Sequence, residues 1–312
     1  MVECLFPGMY RSSNVNRGEK MKTPKHKSDI EVFCQIPMGE GDFDGPEGIV
    51  QGNHGLLYIS SGDGWIYTVS GSGEVKAFAE PGGRPLGIAI DKSENLYVCE
   101  AKSGAVYRIT PQAGVSLFAE RSGSRKMLAP NFAVFDDRGW LYVSDSGSST
   151  LETPKPDGAI FRISPSGECE IFADGLLLPN GLAMRKDESA LYVIQSTEDN
   201  ILRLEINDDQ SLGDTSVFAQ DLEMIPDGMA FADDGDLFVI AGGSDTIYQV
   251  KQEGQMEIFA QDPPPSIDHL FAAANCVFAG PEFSDLYITN LGGFISRIKD
   301  VPRGQKLFHQ QL

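Results

Sequence analysis

The chain has 312 residues and a formal net charge of −20, with 25 Lys and Arg against 45 Asp and Glu. A surface of this charge repels phosphate backbones and anionic membranes, so we expect no nucleic acid and no membrane among its partners. No apolar run approaches the roughly 18 residues of a transmembrane helix. The 34 Gly and 18 Pro indicate many turns.

Residues 1–28 form the first predicted segment, a polar, basic tail without the apolar stretch of a secretory signal. We therefore expect a cytoplasmic protein. The five cysteines are odd in number, widely spaced and without a CxxC pair, which argues against a disulfide framework or a structural zinc site. They are Cys4, Cys34, Cys99, Cys169 and Cys276.

Six similar units follow, each built from short apolar runs separated by turn residues. The first runs are PEGIV (46–50), PLGIAI (85–90), PNFAVF (130–135), PNGLAM (179–184), PDGMAF (226–231) and ANCVF (274–278). Each is followed by a second run such as NLYVCE (95–100), a third such as AVYRI (105–109) and, in most units, a fourth such as VSLFAE. Runs rich in Val, Ile, Tyr and Phe between turns are typical of β-strands.

Four strands that recur every 39 to 49 residues predict an all-β fold, a six-bladed β-propeller with four-stranded antiparallel blades over residues 29–312. The sixth unit lacks a fourth strand, and DIEVFCQI (29–36) resembles the missing one. We therefore expect this N-terminal strand to close the ring. A β-sandwich with extra hairpins is the alternative, but it does not account for the fixed repeat.

One position of the repeat carries mostly polar residues. It follows the proline of the first run and holds Glu47, Leu86, Asn131, Asn180, Asp227 and, in the sixth unit, Asn275. The first strand of each blade lines the central channel, so equivalent residues should form a ring around one axis. Taken singly, each polar residue could simply cap a turn. Five at one phase of the repeat indicate a shared site.

Two carboxylates and several amides at close range need compensation, because unpaired carboxylates repel each other. Hard oxygen ligands with two negative charges describe a Ca²⁺ site. Mg²⁺, Mn²⁺, Zn²⁺ and Fe²⁺ stay open as alternatives, although the absence of His and Cys from the ring argues against zinc.

The motifs PEGIV, LPNGLAM with its following ALYV, and IPDGMAF with its following DLFV resemble the SMP-30/gluconolactonase/luciferin-regenerating-enzyme family. The late segment NCVFAGPEFSDLYIT resembles that family's last blade, and the resemblance covers roughly residues 29–300. It implies a six-bladed propeller with one divalent metal in the channel, usually Ca²⁺. It also implies hydrolysis of lactones, mostly aldonolactones, while relatives hydrolyse organophosphates.

Residue by residue, the resemblance implies that Glu47, Asn180 and Asp227 bind the metal. It further implies that Asn131 helps to hold substrate or metal, and Asn275 matches the last-blade position approximately. Sugar-lactone members carry an R-x-N-D-G motif in blade three, whereas this chain has Ala-Pro-Asn-Phe-Ala at 129–133. The missing arginine and aspartate put sugar recognition in doubt, and Phe132 suggests a less polar pocket.

Two other residues could contact substrate. Arg125, in the loop RSGSRKM, could supply the missing cation, or the loop could be a solvated basic turn. His269, in the proline-rich connection between blades five and six, could hold substrate or shuttle a proton, or it could be an ordinary loop histidine.

The predicted function is a divalent-metal-dependent hydrolase that opens a small-molecule lactone, either a sugar lactone or a more apolar lactone or ester. The metal would polarise the carbonyl, and Asp227 would act as the general base. An exchange of roles with Glu47, or a nucleophilic Asp227, stays open. The alternatives are a related propeller enzyme, acting on organophosphates or as a lyase or synthase, and a non-enzymatic calcium-binding or interaction propeller. We expect a monomer or a weak homo-oligomer.

Overall fold

The computed structural model describes residues 30–41, 43–262 and 269–311, and it consists almost entirely of β-strands. The predicted polar tail, residues 1–28, lies outside the described residues. In the described part, the only helical turns are two 3₁₀ segments, Gly242–Ser244 and Phe308–Gln310.

Six four-stranded antiparallel sheets form the six predicted blades. The N-terminal strand is β1 (Ile30–Gln35). Blade one has β2 (Pro46–Gln51), β3 (Leu57–Ser61), β4 (Ile66–Val69) and β5 (Val75–Ala79). Blade two has β6 (Pro85–Ile90), β7 (Leu96–Glu100), β8 (Ala105–Ile109) and β9 (Val115–Ala119). A short ribbon, β10 (Arg121–Ser122) and β11 (Arg125–Lys126), precedes blade three.

The remaining blades repeat the same up-and-down order. Blade three has β12 (Pro130–Phe135), β13 (Leu141–Asp145), β14 (Gly158–Ile163) and β15 (Cys169–Leu176). Blade four has β16 (Pro179–Met184), β17 (Ala190–Gln195), β18 (Asn200–Ile206) and β19 (Leu212–Ala219). Blade five has β20 (Pro226–Phe231), β21 (Leu237–Ala241), β22 (Thr246–Val250) and β23 (Met256–Gln261). Blade six has β24 (Ala273–Ala279), β25 (Asp285–Asn290) and β26 (Phe294–Ile298).

Strand β1 supplies the fourth strand of blade six, so the predicted ring closure is confirmed. The sheet order is β1-β26-β25-β24, and Ile30 pairs with Ile298. Nε of Arg297 donates to Glu31 Oε1 at 2.7 Å, and its guanidinium lies 4.5 Å from the centre of the Phe33 ring. This pairing joins the N-terminal strand to the last blade and so closes the ring.

Each blade buries the same edge-to-face aromatic pair, formed by the second residue of the LY or LF dipeptide and a phenylalanine on the outermost strand. The ring centroids lie 4.7 to 5.3 Å apart in all six pairs. The pairs are Tyr58–Phe78, Tyr97–Phe118, Tyr142–Phe172, Tyr192–Phe218, Phe238–Phe259 and Tyr287–Phe33. Phe33 of β1 thus fills in blade six the place that a residue of the blade's own last strand fills elsewhere.

The C-terminal segment, residues 299–311, crosses the channel at the ends of the inner strands. The side chain of Gln305 donates to Met184 O at 3.0 Å, and Nε2 of the buried His309 lies 2.7 Å from Gln51 O. The Phe308 ring packs against Phe135 with centroids 5.3 Å apart. Above this segment lies a mainly apolar cavity of about 100 Å³. We call the opposite end, where the inner strands begin, the channel entrance.

At the rim of this entrance, two buried carboxylates bind residues 269–272, which lead into blade six. Oδ2 of Asp262 accepts the N–H groups of His269 and Leu270 at 2.7 and 3.0 Å. Oδ1 of Asp245 accepts the N–H of Ala272 at 3.1 Å. Burial raises the pKa of Asp245 to about 7, with the Ala272 N–H acting in the opposite direction and the Asp262 carboxylate in the same one.

Neither a membrane-spanning helix nor a disulfide is found in the described part of the chain. No helix there is long and apolar enough to cross a membrane. The thiols of Cys34, Cys99, Cys169 and Cys276 are free, as the sequence predicted.

Phe33→Ala tests the ring closure. We expect it to lower the free energy of unfolding by about 2 kcal/mol, because it removes a half-buried ring and its aromatic partner contact. Phe78→Ala in blade one is the matched control and should cost a similar amount. Urea unfolding measures both. A cost near zero for Phe33→Ala alone would show that β1 does not act as a fourth strand.

Asp245→Asn tests the buried rim carboxylate. The pKa of Asp245 in the folded protein lies above the unfolded value of about 3.9. Ionisation of this carboxylate therefore destabilises the fold increasingly as pH rises from about 4 to 7. The amide keeps an acceptor for the Ala272 N–H. We expect the variant to exceed the parent in unfolding free energy by about 1–2 kcal/mol at pH 5 and by about 2–4 kcal/mol at pH 8. Asp214→Asn, on an exposed strand, should show no such trend, and a pH-independent difference would contradict the assignment.

Candidate active site at the channel entrance

A β-bulge lies at the start of the inner strand in every blade. In blade one Pro46 pairs with Ser61 and Ile49 with Ile59, so two residues, Glu47 and Gly48, face the single residue Ser60. The same two-against-one count recurs in the other five blades. A bulge re-aims side chains and is common next to active sites. The first bulged residue is the ring position that the sequence predicted.

The register corrects the alignment in blade six. Ala273 pairs with Asn290 and Asn275 with Thr289, so Ala274 is the residue at the position of Glu47. Asn275 stands one residue further on, where four of the other blades have glycine, and it is 4% exposed. Its Oδ1 accepts the N–H of Cys276 at 2.7 Å. Its predicted contact with substrate stays a prediction.

Neighbouring ring positions are held together by hydroxyl groups and by close backbone approach. Oγ of Ser144 donates to Asn180 O at 2.7 Å, and Oγ1 of Thr289 donates to Glu47 O at 2.7 Å. A Cβ on Gly181 would lie 2.3 Å from Asp227 O, which only glycine avoids. The glycine after Asn180 thus lets blades four and five meet at the ring.

The carboxylates of Glu47 and Asp227 share this entrance although 180 residues separate them. Burial and the Glu47 charge raise the pKa of Asp227 well above its ordinary value, while the Asn180 amide and the Arg84 guanidinium act in the opposite direction. Burial also raises the pKa of Glu47, which Arg84 lowers and the Asp44 charge raises further. Nη2 of Arg84 lies 3.7 Å from Glu47 Oε2. One guanidinium therefore faces two carboxylates.

Asn180 brings an unpaired acceptor to the same place. Its Nδ2 donates to Ser196 Oγ at 3.2 Å, and that hydroxyl donates to Pro226 O at 2.7 Å. Its Oδ1 is buried and has no hydrogen-bond partner. A buried amide oxygen without a partner costs free energy, so it points to a ligand that would complete it.

These residues fit a hard divalent cation. Two carboxylates and a free amide oxygen are oxygen donors with an excess of negative charge. Among the described residues, no three His, Cys, Asp or Glu side chains cluster as a metal site. The donor set therefore needs an amide, and without His or Cys it suits Ca²⁺ or Mg²⁺ better than Zn²⁺.

Asn131 occupies the bulge in blade three, and Leu86 occupies it in blade two. Asp145, which is 1% exposed, accepts the N–H of Ala129 at 2.6 Å and that of Leu128. The carboxylate fixes the segment that leads into Asn131. Sequence reasoning missed this role, although an aspartate that ends the strand LYVSD was a visible signal.

Arg125 and His269 contact residues outside the ring. Arg125 donates to Asp157 O at 2.9 Å and pairs with the Asp174 carboxylate at 2.5 Å, which ties the short ribbon to the outer part of blade three. His269 is 39% exposed on the rim, with Nδ1 3.7 Å from Asp262 Oδ2. In the described part of the chain no recorded bond joins either residue to the ring, and their substrate contacts stay predictions.

Comparisons with known proteins agree with this fold. A gluconolactonase from Zymomonas mobilis is 25% identical over 230 residues, which are 68% of this chain and 62% of that protein. The Arabidopsis thaliana protein strictosidine synthase-like 8 is 28% identical over 173 residues, 50% of this chain and 44% of that one. The solved structure of regucalcin, a calcium-binding protein from Agrobacterium tumefaciens, has a TM-score of 0.71 at 15% identity, covering 90% of this chain and 98% of that one.

The matches thus span less than two thirds of the length of the two curated relatives, and the structural likeness shows the fold alone. The family model described as the SMP-30/Gluconolactonase/LRE-like region matches residues 46–292, well over half of the chain and all six inner strands. The chain therefore belongs to the SMP-30/gluconolactonase/LRE-like family.

Proposed function

We propose that the protein is a divalent-metal-dependent hydrolase that opens a lactone ring at the channel entrance. The observation that carries this proposal is the grouping of two half-buried carboxylates with the unpaired, buried Oδ1 of Asn180. The gluconolactonase name of a relative and the family membership support a lactone as substrate. The calcium-binding description of the regucalcin structure supports Ca²⁺ as the ion.

Glu47, Asn180 and Asp227 would hold the ion. Once bound, it would polarise the lactone carbonyl and offset the negative charge that develops on the carbonyl oxygen. The protein's own residues do the rest of the work. Asn131, on the neighbouring blade, has an amide that can hydrogen-bond the substrate and orient it.

Asp227 is the general base in this proposal. Its carboxylate lies at the edge of the ion's site, where it can take the proton of the attacking water. Glu47 is paired with Arg84 across 3.7 Å, which makes it the weaker base and better suited to hold the ion.

A synthase or lyase is the second candidate, favoured by the likeness to strictosidine synthase-like proteins. Its reaction would use the same entrance, but a condensation or elimination adds no water to the substrate. Hydrolysis in ¹⁸O-labelled water distinguishes the two, since a hydrolase places one ¹⁸O in the acid product. Paraoxon, offered as a substrate in the same assay, tests for phosphotriester hydrolysis.

Chelation tests the metal. We expect EDTA to abolish hydrolysis of aldonolactones and alkyl lactones, and Ca²⁺ to restore it. Free Ca²⁺ at about 100 times its Kd should stabilise the fold by about 2.7 kcal/mol, which thermal unfolding detects without any substrate. Asn180→Ala should lose this stabilisation, while Asn53→Ala, in an exposed turn, should keep it. If Ca²⁺ leaves the melting temperature of the parent unchanged, the metal site is refuted.

Asp227→Asn tests the base. At saturating Ca²⁺ we expect kcat for lactone hydrolysis to fall by about 10²–10⁴-fold, the usual contribution of a general base. The metal-free variant should nevertheless unfold at a higher temperature than the parent, because one of two repelling carboxylates is gone. Asp221→Asn, an exposed substitution, controls for the loss of charge. A variant that hydrolyses lactones as fast as the parent would rule out Asp227 as the base.

A further inference from the structure

Arg84 is the cation at the two ring carboxylates, and it comes from blade two, not from the blade-three positions where the sequence suggested one. Its Nη2 lies 3.7 Å from Glu47 Oε2, and its charge also acts on Asp227. The side chain is 48% exposed, so it faces both the site and the solvent at the entrance. Among the residues that the structure describes, Glu47 is the one carboxylate within ion-pairing distance of Arg84.

The backbone of Arg84 is fixed by a buried carboxylate. Glu100, 2% exposed, accepts the N–H of Arg84 at 2.6 Å and that of Lys102 at 2.8 Å on Oε1, and the N–H of Ser103 at 2.8 Å on Oε2. Gly83 has φ +63°, and a Cβ there would lie 2.1 Å from Glu100 Oε1. The glycine is what lets the carboxylate reach these N–H groups, so the position of Arg84 at the entrance is determined by the fold.

Arg84 gives the entrance a positive charge that a substrate anion can use. Glu47 and Asp227 contribute −2, which a divalent ion would offset, so the loaded pair would leave Arg84 available to an anion. The Asp44 carboxylate, whose charge also acts on Glu47, opposes this in part. A guanidinium has five N–H donors in a planar fork that suits a carboxylate. Nη2 of the guanidinium faces Glu47, and the side chain is about half exposed, so its other N–H groups can bind a ligand at the entrance.

The neighbouring position limits what else blade two can bind. Leu86, two residues after Arg84, takes the ring position and is 6% exposed. It offers no hydrogen bond to the hydroxyls of a sugar lactone. The strand start of blade two therefore presents one cation beside one apolar side chain.

We propose that Arg84 determines specificity by binding a carboxylate on the substrate, so that the preferred substrate is a lactone with an anionic group beside its ring. This rests on the proposed hydrolase function. Arg84 holds the carboxylate at the entrance, and the lactone carbonyl faces the site formed by Glu47, Asn180 and Asp227. The hydroxyl groups of an aldonolactone contribute less, because blade two has Leu86 and blade three lacks an arginine at Ala129.

The test compares two lactones of the same shape, 5-oxotetrahydrofuran-2-carboxylate and its neutral carboxamide, at saturating Ca²⁺. The parent should hydrolyse the carboxylate with the higher kcat/KM. Arg84→Gln should lower the ratio of the two kcat/KM values by about tenfold, the size expected for one charge-assisted hydrogen bond. Arg84→Lys should retain part of the ratio, and Arg185→Gln, a similarly exposed arginine on a hairpin, should retain all of it.

A binding measurement separates this proposal from the proposed function. Tetrahydrofuran-2-carboxylate and its carboxamide lack the scissile bond, and calorimetry measures their Kd values without turnover. Carboxylate binding that weakens about tenfold in Arg84→Gln, while carboxamide binding is unchanged, supports the proposal even if neither lactone is hydrolysed. Equal losses for both lactones in Arg84→Gln, with hydrolysis intact in the parent, would show that Arg84 serves only Glu47 and would overturn it.

Discussion

The candidate site depends on one backbone feature, the β-bulge that begins every inner strand. Two residues face one across each bulge, so the first of them is released from the alternation of the strand and can turn towards the common axis. Rotation about that axis then brings Glu47, Asn180 and Asp227 to one entrance although they are far apart in the chain. The close approach at Gly181 and the hydroxyl of Ser144 fix the spacing between blades.

The arrangement that suits a cation is unfavourable for the protein alone. Two carboxylates lose water and repel each other, and one guanidinium cannot neutralise both. The buried Oδ1 of Asn180 adds a second unfavourable feature at the same place. Groups that destabilise a fold together, and that one ligand would satisfy together, are typical of functional sites. Outside the site, the repeated features stabilise the fold. The aromatic pairs and the backbone hydrogen bonds of the sheets recur from blade to blade.

The fold could be predicted because its sequence pattern repeats in six blades. The parts of the site that could not be predicted are those where a blade departs from the repeat. Strand runs, blade number and closure by β1 all followed from patterns that occur several times, so errors at one blade were corrected by the others. Blade six lacks the proline and the glycine, and the alignment there slipped by one residue, from Ala274 to Asn275. Contacts that occur once had no pattern to reveal them. The anchoring of Arg84 by Glu100 and the C-terminal segment across the channel are of this kind, since both join residues whose proximity only the folded chain creates.

Fold and family leave the reaction open, because proteins named gluconolactonase and strictosidine synthase-like match the same chain at similar identity. What favours hydrolysis is the set of groups at the entrance that can accept a proton and balance charge. In the proposed mechanism Asp227 accepts a proton there, and the Arg84 guanidinium offsets part of the charge of Glu47. A site with this balance would bind a divalent ion and still favour negative charge on what approaches it. Substrate choice would then be decided by the few residues that differ between blades, above all Arg84 and Leu86, while the six-fold frame only holds them in place.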